Sequence, residues 1–273
     1  MKTMILDAQI YQQFDADHSR DVPAEAYGGW QTVPVTLPVE HTALVSMHTW
    51  YGGAIGEFPG WDRCVEYRPR SYQIMERYFP SLLGAARAAG MPVVHVVGGG
   101  NYYKHRPGYQ KAVALAGPPP APPAGAPANS LLDEARKIRA RHTFPGEPNQ
   151  ADVTAGFKVL DFGREAMPVG DEYCCEDAHQ LNAVCRHLDC SHLVYVGFAI
   201  NWCLLMSPGG MLDMSRLGYT CSAIRECVTA VECKESARNE LHKAEGLWRT
   251  ALSFGFVFRV DPFIQSLRAA RAG

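Results

Sequence analysis

Cys203 stands between an apolar run of strand length and an apolar run of helix length, which is a suitable position for a nucleophile. Residues 193–196 are rich in β-forming side chains, and Gly197 ends that run. A thiol at the start of a helix lies near unpaired backbone N–H groups, which favour the thiolate and can bind an oxyanion. Free cysteine is also commonly buried and inert, so the local pattern leaves a packing role for Cys203 open.

A second group of candidate side chains follows the first buried strand that the sequence predicts. The apolar residues 42–47 lead directly to His48, Trp50 and Tyr51, and Gly52 and Gly53 then change the chain direction. Ligands of an open parallel sheet bind at the carboxyl ends of its strands. We therefore expect these side chains to lie at the same edge of the sheet as Cys203.

Six strand-like runs alternate with helix-like segments along most of the chain. The runs are residues 42–47, 92–97, 172–176, 193–197, 219–224 and 255–260. Helices are expected around residues 71–89, 178–188, 203–217 and 241–252, where apolar side chains recur at helical spacing. This order predicts an α/β, Rossmann-like fold: a doubly wound six-stranded parallel sheet with helices on both faces.

Two segments lie outside this pattern. Residues 1–40 are of mixed polarity, and their prolines interrupt regular structure, so we expect an N-terminal extension that reaches over a neighbouring subunit. The remaining domain, residues 41–273, contains a proline-rich insertion at about residues 106–150. Its segment 117–127 is polyproline-like, which is typical of an exposed spacer or lid.

Composition restricts the kind of partner. The 273 residues are 47% hydrophobic and 20% charged, with a net charge of -2 and no basic stripe, so we expect a small-molecule substrate and not nucleic acid. No apolar run is long enough for a membrane span or fits a signal peptide, and a cytoplasmic protein is expected. The nine cysteines have no zinc-binding spacing, so we expect reduced thiols, no metal and no cofactor.

Several blocks of the sequence resemble the isochorismatase-like cysteine hydrolases, the superfamily of nicotinamidases, N-carbamoylsarcosine amidohydrolases and related amidases. Residues 197–204 (Gly-Phe-Ala-Ile-Asn-Trp-Cys-Leu) are similar to that family's glycine-x-alanine-threonine-asparagine-x-cysteine-valine block. Supporting blocks are residues 42–44, 85–96 and 213–219, within matching regions 42–99 and 168–267. The resemblance implies that Cys203 is the nucleophile and that a non-proline cis peptide near Ala199–Ile200 forms an oxyanion hole. It also implies a homo-oligomer.

The chain departs from this family at two positions that matter for catalysis. His48 stands where the family has a proton-transferring aspartate, and Glu176 aligns with the family's lysine. Asp171 and Asp177 are alternative equivalents of that lysine. Residues 208–210 form a surplus after the nucleophile that could reshape the pocket wall.

These departures leave two hypotheses. In the first, Cys203, His48 and Glu176 act as thiol, base and orienting acid, and attack on a small-molecule amide gives a thioester that water releases. Backbone amides near Ile200 and Cys203 would hold the oxyanion. In the second, catalysis has been lost, and the fold serves as a module for ligand binding or assembly.

Aromatic side chains near the predicted edge are candidates for substrate binding. These candidates are Trp50, Tyr51, Tyr103 and Trp202. The alternative is that such rings cap the core or form a subunit contact. His95, inside the second strand, is a further candidate, although a histidine there is more often a satisfied core residue. A metal held by His48, His95 and Glu176 is a minor alternative, because the strands offer no close ligand spacing.

Overall fold

A parallel sheet of six strands forms the centre of the protein, and the computed structural model describes residues 2–272. The order across the whole sheet is β2-β1-β10-β9-β8-β3-β5-β7, in which β1 and β2 are antiparallel additions at one edge. The strands of this sheet are β1 (Thr3–Gln12), β2 (Gly29–Pro38), β3 (Thr42–Met47), β5 (Val93–Val96), β7 (Cys174–Cys175), β8 (His192–Gly197), β9 (Thr220–Val228) and β10 (Val257–Phe258). Two short strands, β4 (Trp50–Tyr51) and β6 (Asp161–Phe162), pair with each other outside it. The α/β class and the six parallel strands are confirmed.

Helices cover both faces of the sheet, as the sequence predicts. They are α1 (Pro59–Cys64), α2 (Arg68–Ala89), α3 (Pro107–Ala116), α4 (Ser130–His142), α5 (Gln150–Lys158), α6 (Ala178–His187), α7 (Met211–Arg216), α8 (Leu241–Ser253) and α9 (Val260–Ala272). One core cluster joins the sheet to α2 and α9, and a second joins it to α6, α7 and α8. Along β8, Val194 and Val196 belong to the first cluster, whereas Leu193 and Tyr195 belong to the second. A strand buried on both faces needs a continuous apolar run, which explains this sequence.

The N-terminal extension differs from the expected arm, because it forms part of the same sheet. Strands β1 and β2 form a hairpin with register Thr3↔Pro38, and β1 continues the sheet through Gln9↔Val257. Alternate side chains of β1 are buried in the core beside α9. The prolines did not prevent this, because β2 is an edge strand and proline is tolerated where no partner strand needs its N–H.

The insertion at residues 106–150 contains two helices with different surroundings. Ala112 of α3 is fully buried in the core cluster that includes α6. Helix α4, which follows the proline-rich segment, buries none of its side chains. A cis peptide bond joins Phe144 to Pro145 shortly after α4 ends.

The carboxyl ends of the parallel strands bring the candidate residues to one edge. His48 follows β3, Glu176 follows β7, and residues 198–203 follow β8. None of the helices within residues 2–272 is long and apolar enough to cross a membrane.

Candidate active site

Cys203 lies on a single π-helical turn, Ile200–Leu204, directly after β8. Gly197 makes the approach possible, since its φ of 129° is unfavourable for other residues and a Cβ there would lie 1.9 Å from the Met47 carbonyl oxygen. The Asn201 side chain anchors the turn by donating to the Val231 carbonyl and accepting from the Val231 N–H, both at 2.9 Å. π-Turns of this kind occur frequently at functional sites.

The cis peptide bond is one position earlier than the sequence analysis placed it. It joins Phe198 to Ala199 and not Ala199 to Ile200. The Ile200 N–H donates to the Thr229 carbonyl at 2.7 Å, so it is not free to bind an oxyanion. The backbone groups of Ala199 and Cys203, by contrast, lower the pKa of the Cys203 thiol.

The thiol of Cys203 is partly exposed in a cavity of about 320 Å³. Half of the lining residues are aromatic: Trp50, Trp61, Tyr67, Tyr72, Phe144, Phe157, Phe198 and Trp202. The other lining residues are His48, Gly52, Cys64, Val65, Arg68, Ser71, Cys203 and Val231. A concave apolar site with a few converging polar groups is the usual form of a small-molecule site.

His48 reaches this cavity from the end of β3. Its backbone adopts the left-handed conformation, with φ of 50°, and its N–H donates to the Val96 carbonyl at 3.0 Å. The imidazole stacks on Trp50 with ring centroids 4.5 Å apart, and its Nδ1 is buried with no hydrogen-bond partner within the described residues. Burial lowers the pKa of His48 to about 4, so the ring is neutral at pH 7.

The thiol of Cys203 is also neutral in this arrangement. Burial raises its pKa, and this outweighs the lowering by the Ser207 hydroxyl and by the N–H groups of Ala199 and Cys203. No hydrogen bond joins the thiol to His48 in the part of the chain that the structure describes. The two groups therefore share one cavity as a neutral acid and a neutral base.

Glu176 does not reach His48, which corrects the predicted orienting role in this conformation. Its carboxylate accepts hydrogen bonds from the Tyr103 hydroxyl at 2.5 Å and the Tyr109 hydroxyl at 2.8 Å, and it does not line the cavity. Lys104 lies 3.8 Å from the same carboxylate. Partial burial raises the pKa of Glu176, but the hydrogen bonds from Tyr103, Tyr109 and Gln180 together with the charge of Lys104 outweigh it and lower the pKa overall.

The two alternative equivalents of the family lysine also have other partners. Asp171 forms an exposed ion pair with Lys111. Asp177 caps helix α6, accepting a hydrogen bond from the Gln180 N–H at 2.9 Å. No acidic side chain lines the cavity among residues 2–272.

Three of the predicted substrate-binding residues lie outside the cavity. His95 is fully buried in the core, where its Nε2 lies 3.0 Å from a Glu172 oxygen and its Nδ1 has no hydrogen-bond partner within the described residues. Tyr103 is buried, and its hydroxyl donates a hydrogen bond to Glu176, which follows β7. Tyr51 stacks on the outer side of Tyr72 and lines a different surface cavity. Trp50 and Trp202 do line the Cys203 cavity.

Sequence reasoning missed the segment around residues 58–72, which forms one wall of the cavity. Arg68 begins α2, is 5% exposed, and lies over the Trp61 ring at 4.6 Å. Its guanidinium binds Asp62 at 2.6 Å and donates to the carbonyl oxygens of Gly52 and Gly53. The concentration of aromatic residues in this segment was the available signal. Phe144, the residue of the insertion that reaches the cavity, gave no such signal.

The structure separates the residues of the minor metal hypothesis. His48 lies in the cavity, His95 is bound to Glu172, and Glu176 is bound to tyrosines. Within residues 2–272, no group of three or more histidine, cysteine or carboxylate side chains is close enough to hold a metal ion.

No family model matches the sequence, and no curated protein matches it. Several solved structures are similar to the chain. A cysteine hydrolase from Pseudomonas syringae pv. phaseolicola 1448A is 15% identical, with 86% of this chain and 95% of that chain covered and a TM-score of 0.48. An isochorismatase family protein from Desulfovibrio vulgaris subsp. vulgaris str. Hildenborough is 16% identical, with 85% and 99% covered and a TM-score of 0.41. A nicotinamidase from Staphylococcus aureus is 12% identical, with 81% and 99% covered and a TM-score of 0.38.

Proposed function

We propose that the protein is a cysteine-dependent hydrolase of a small-molecule amide or related C–N bond, with Cys203 as nucleophile and His48 as base. The observation that carries this proposal is the shared cavity. A partly exposed thiol and a histidine with an unpartnered buried nitrogen lie in one aromatic-walled site. Nucleophilic catalysis requires such a pair, with backbone N–H groups beside the reacting atom.

The neutral states of the two groups determine the order of events. Because the pKa of His48 is lowered and that of Cys203 is raised, a thiolate–imidazolium pair is not the resting form. Neutral imidazole is nevertheless the form that accepts a proton. The proton therefore passes from Sγ to His48 as the sulfur attacks, and not before.

The chemical steps follow from this arrangement. The Cys203 sulfur forms a bond to the acyl carbon, and the carbonyl oxygen becomes an oxyanion that accepts hydrogen bonds from the N–H groups of Ala199 and Cys203. The C–N bond then breaks, and protonated His48 gives its proton to the leaving nitrogen. Water attacks the resulting thioester while His48 accepts a proton from it. The C–S bond then breaks, His48 returns this proton to the Cys203 sulfur, and the carboxylic acid leaves.

A second candidate function is ligand binding without turnover. It is favoured by the missing hydrogen bond between Cys203 and His48 and by the engagement of Glu176 with two tyrosines. Under this alternative the aromatic cavity binds a small molecule, and the thiol is only part of its wall.

Acylation by p-nitrophenyl acetate distinguishes the two functions. Intact-mass measurement should detect one acetyl group on the protein, and peptide mapping should place it on Cys203. We expect His48→Ala to slow acylation by about 10²–10⁴-fold, the usual contribution of a general base. Cys203→Ala should abolish the modification.

Cys64 provides a matched control, because its thiol lines the same cavity. Cys64→Ala should leave acylation of Cys203 close to the wild-type rate. Equal, slow acetylation of Cys64 and Cys203, unaffected by His48→Ala, would exclude the hydrolase and support the binding module.

A further inference from the structure

Two large apolar rings at the mouth of the Cys203 cavity remain half exposed. Phe144 is 52% exposed and Trp202 is 44% exposed, although both line the cavity. Their ring centroids are 6.0 Å apart with an interplanar angle of 78°, an edge-to-face contact. Apolar surface at the rim of a concave site gains favourable free energy when a ligand removes it from water. The mouth thus favours an apolar ligand group.

The remaining wall offers no unpaired charge to a ligand. The one cationic side chain, Arg68, is neutralised by Asp62 at 2.6 Å, and its other terminal nitrogen donates to the carbonyl oxygens of Gly52 and Gly53. No acidic side chain within the described residues lines the cavity. Burying an ion without a partner is strongly unfavourable. An uncharged group with a planar face suits this site, since aromatic walls pack well against such a face.

The two rings lie on parts of the chain with different surroundings. Trp202 lies on the π-turn that Asn201 anchors to Val231, directly before Cys203. Phe144 lies in the insertion, shortly after α4, a helix that buries none of its side chains. The backbone that carries Trp202 is therefore anchored beside the thiol, whereas Phe144 is carried by an exposed part of the insertion.

We infer that Phe144 and Trp202 are specificity-determining residues, which admit a planar, uncharged group to Cys203 and pack against it at the mouth of the cavity. The inference rests on the proposed function only in taking Cys203 as the reacting group. The preference of the cavity for a planar, uncharged group can be measured whether or not the protein turns over a substrate.

Alkylation by three reagents with one reactive group tests the inference. N-phenyl iodoacetamide, N-cyclohexyl iodoacetamide and iodoacetate are compared by peptide mass spectrometry, with each Cys203 rate divided by that of the exposed Cys233. We expect the phenyl reagent to react about three- to tenfold faster than the cyclohexyl reagent, the range for one aromatic contact, and iodoacetate to be slowest. Phe144→Ala should bring the phenyl-to-cyclohexyl ratio close to one, and Phe144→Tyr should preserve it.

Phe14→Ala is the matched control, because Phe14 is 84% exposed and does not line the cavity. It should leave the ratio unchanged. A ratio that survives Phe144→Ala, or a preference for iodoacetate, would overturn the inference.

Equilibrium binding gives a second measurement that needs no reactive thiol. Calorimetry on Cys203→Ser should show benzamide binding more tightly than cyclohexanecarboxamide and benzoate, with the difference lost when Phe144→Ala is added. Equal binding of the three compounds would contradict the inference. If all three alkylating reagents leave Cys203 unmodified but binding follows this order, the proposed nucleophile fails and the specificity of the mouth stands.

Discussion

The carboxylate of Glu176 is held by two phenols from a different part of the chain. Tyr103 and Tyr109 both donate to it, and Tyr103 is only 3% exposed. The side-chain amide of Gln180 also donates to it, at 3.4 Å. A partly buried carboxylate with these donors is already satisfied, so it does not need His48 as a further partner. We therefore assign Glu176 to the attachment of the segment 103–109 to the end of β7.

Replacement of Glu176 tests this assignment. We expect Glu176→Gln to lower the free energy of unfolding by about 1–3 kcal/mol, because the amide loses charge-assisted hydrogen bonds. The rate of Cys203 acylation should change by less than about threefold, well below the effect of a general base. Urea denaturation and the p-nitrophenyl acetate assay measure the two quantities.

Tyr109→Phe serves as the control, since it removes one of the hydrogen bonds and leaves the carboxylate in place. A smaller loss of stability is expected from it. If Glu176→Gln slowed acylation as strongly as His48→Ala does, Glu176 would have to approach His48 during the reaction, and the orienting role would return.

At the scale of the elements, the N-terminal hairpin is an integral part of the sheet. Met4, Leu6 and Ala8 of β1 belong to the core cluster that includes α2 and α9, whereas Ile5, between them, is 70% exposed. This alternation is the period-two pattern of a strand with one buried face. The hairpin thus contributes to the stability of the chain itself.

Leu6 and Ile5 form a matched pair for a test of this point, because they are isomeric side chains on opposite faces of β1. Leu6→Ala should lower the free energy of unfolding by about 2–4 kcal/mol through lost burial and a cavity. Ile5→Ala should change it by about 0.5 kcal/mol or less, as is usual at the surface. Both are measured by urea denaturation; equal small losses for the two variants would mean that β1 does not pack on the core.

At the scale of the whole molecule, buried neutral histidines, among them His48 and His192, make stability depend on pH. Burial lowers the pKa of His48 and of His192 to about 4, from an ordinary value of 6.5. Between these values the unfolded chain binds protons that the folded chain does not. The stabilising contribution is therefore complete above pH 6.5 and is lost as the pH falls toward 4.

This acid sensitivity is predicted to decrease when His192 is replaced. His192 is 6% exposed, and its contribution should fall by about 2 kcal/mol between pH 7 and pH 5. Urea denaturation of His192→Gln should accordingly give a smaller difference between the two pH values than the wild type gives. His18→Gln, at an exposed histidine, should retain the full difference. An unchanged difference in His192→Gln would show that His192 is protonated in the folded state.

Much of the fold could be predicted from local pattern. The continuous apolar run of β8 and the helical spacing in α2 specify their elements, because burial on one or both faces imposes those periods. The edge hairpin could not be predicted in this way, since its prolines are compatible with a strand only when no further strand pairs there. The homo-oligomer and the cytoplasmic location stay predictions.

The sequence alone determined the positions of Cys203 and His48, because strand ends and the glycine-containing turn fix where the backbone places them. Only the tertiary structure decided which groups accompany them. Glu176 accepts hydrogen bonds from tyrosines, and His95 lies within hydrogen-bond distance of Glu172. Phe144, which belongs to the insertion, lines the cavity. Hydrogen-bond partners and cavity walls come from residues distant in the chain. The local spacing of apolar residues along a strand or helix does not indicate which distant residues will be in contact.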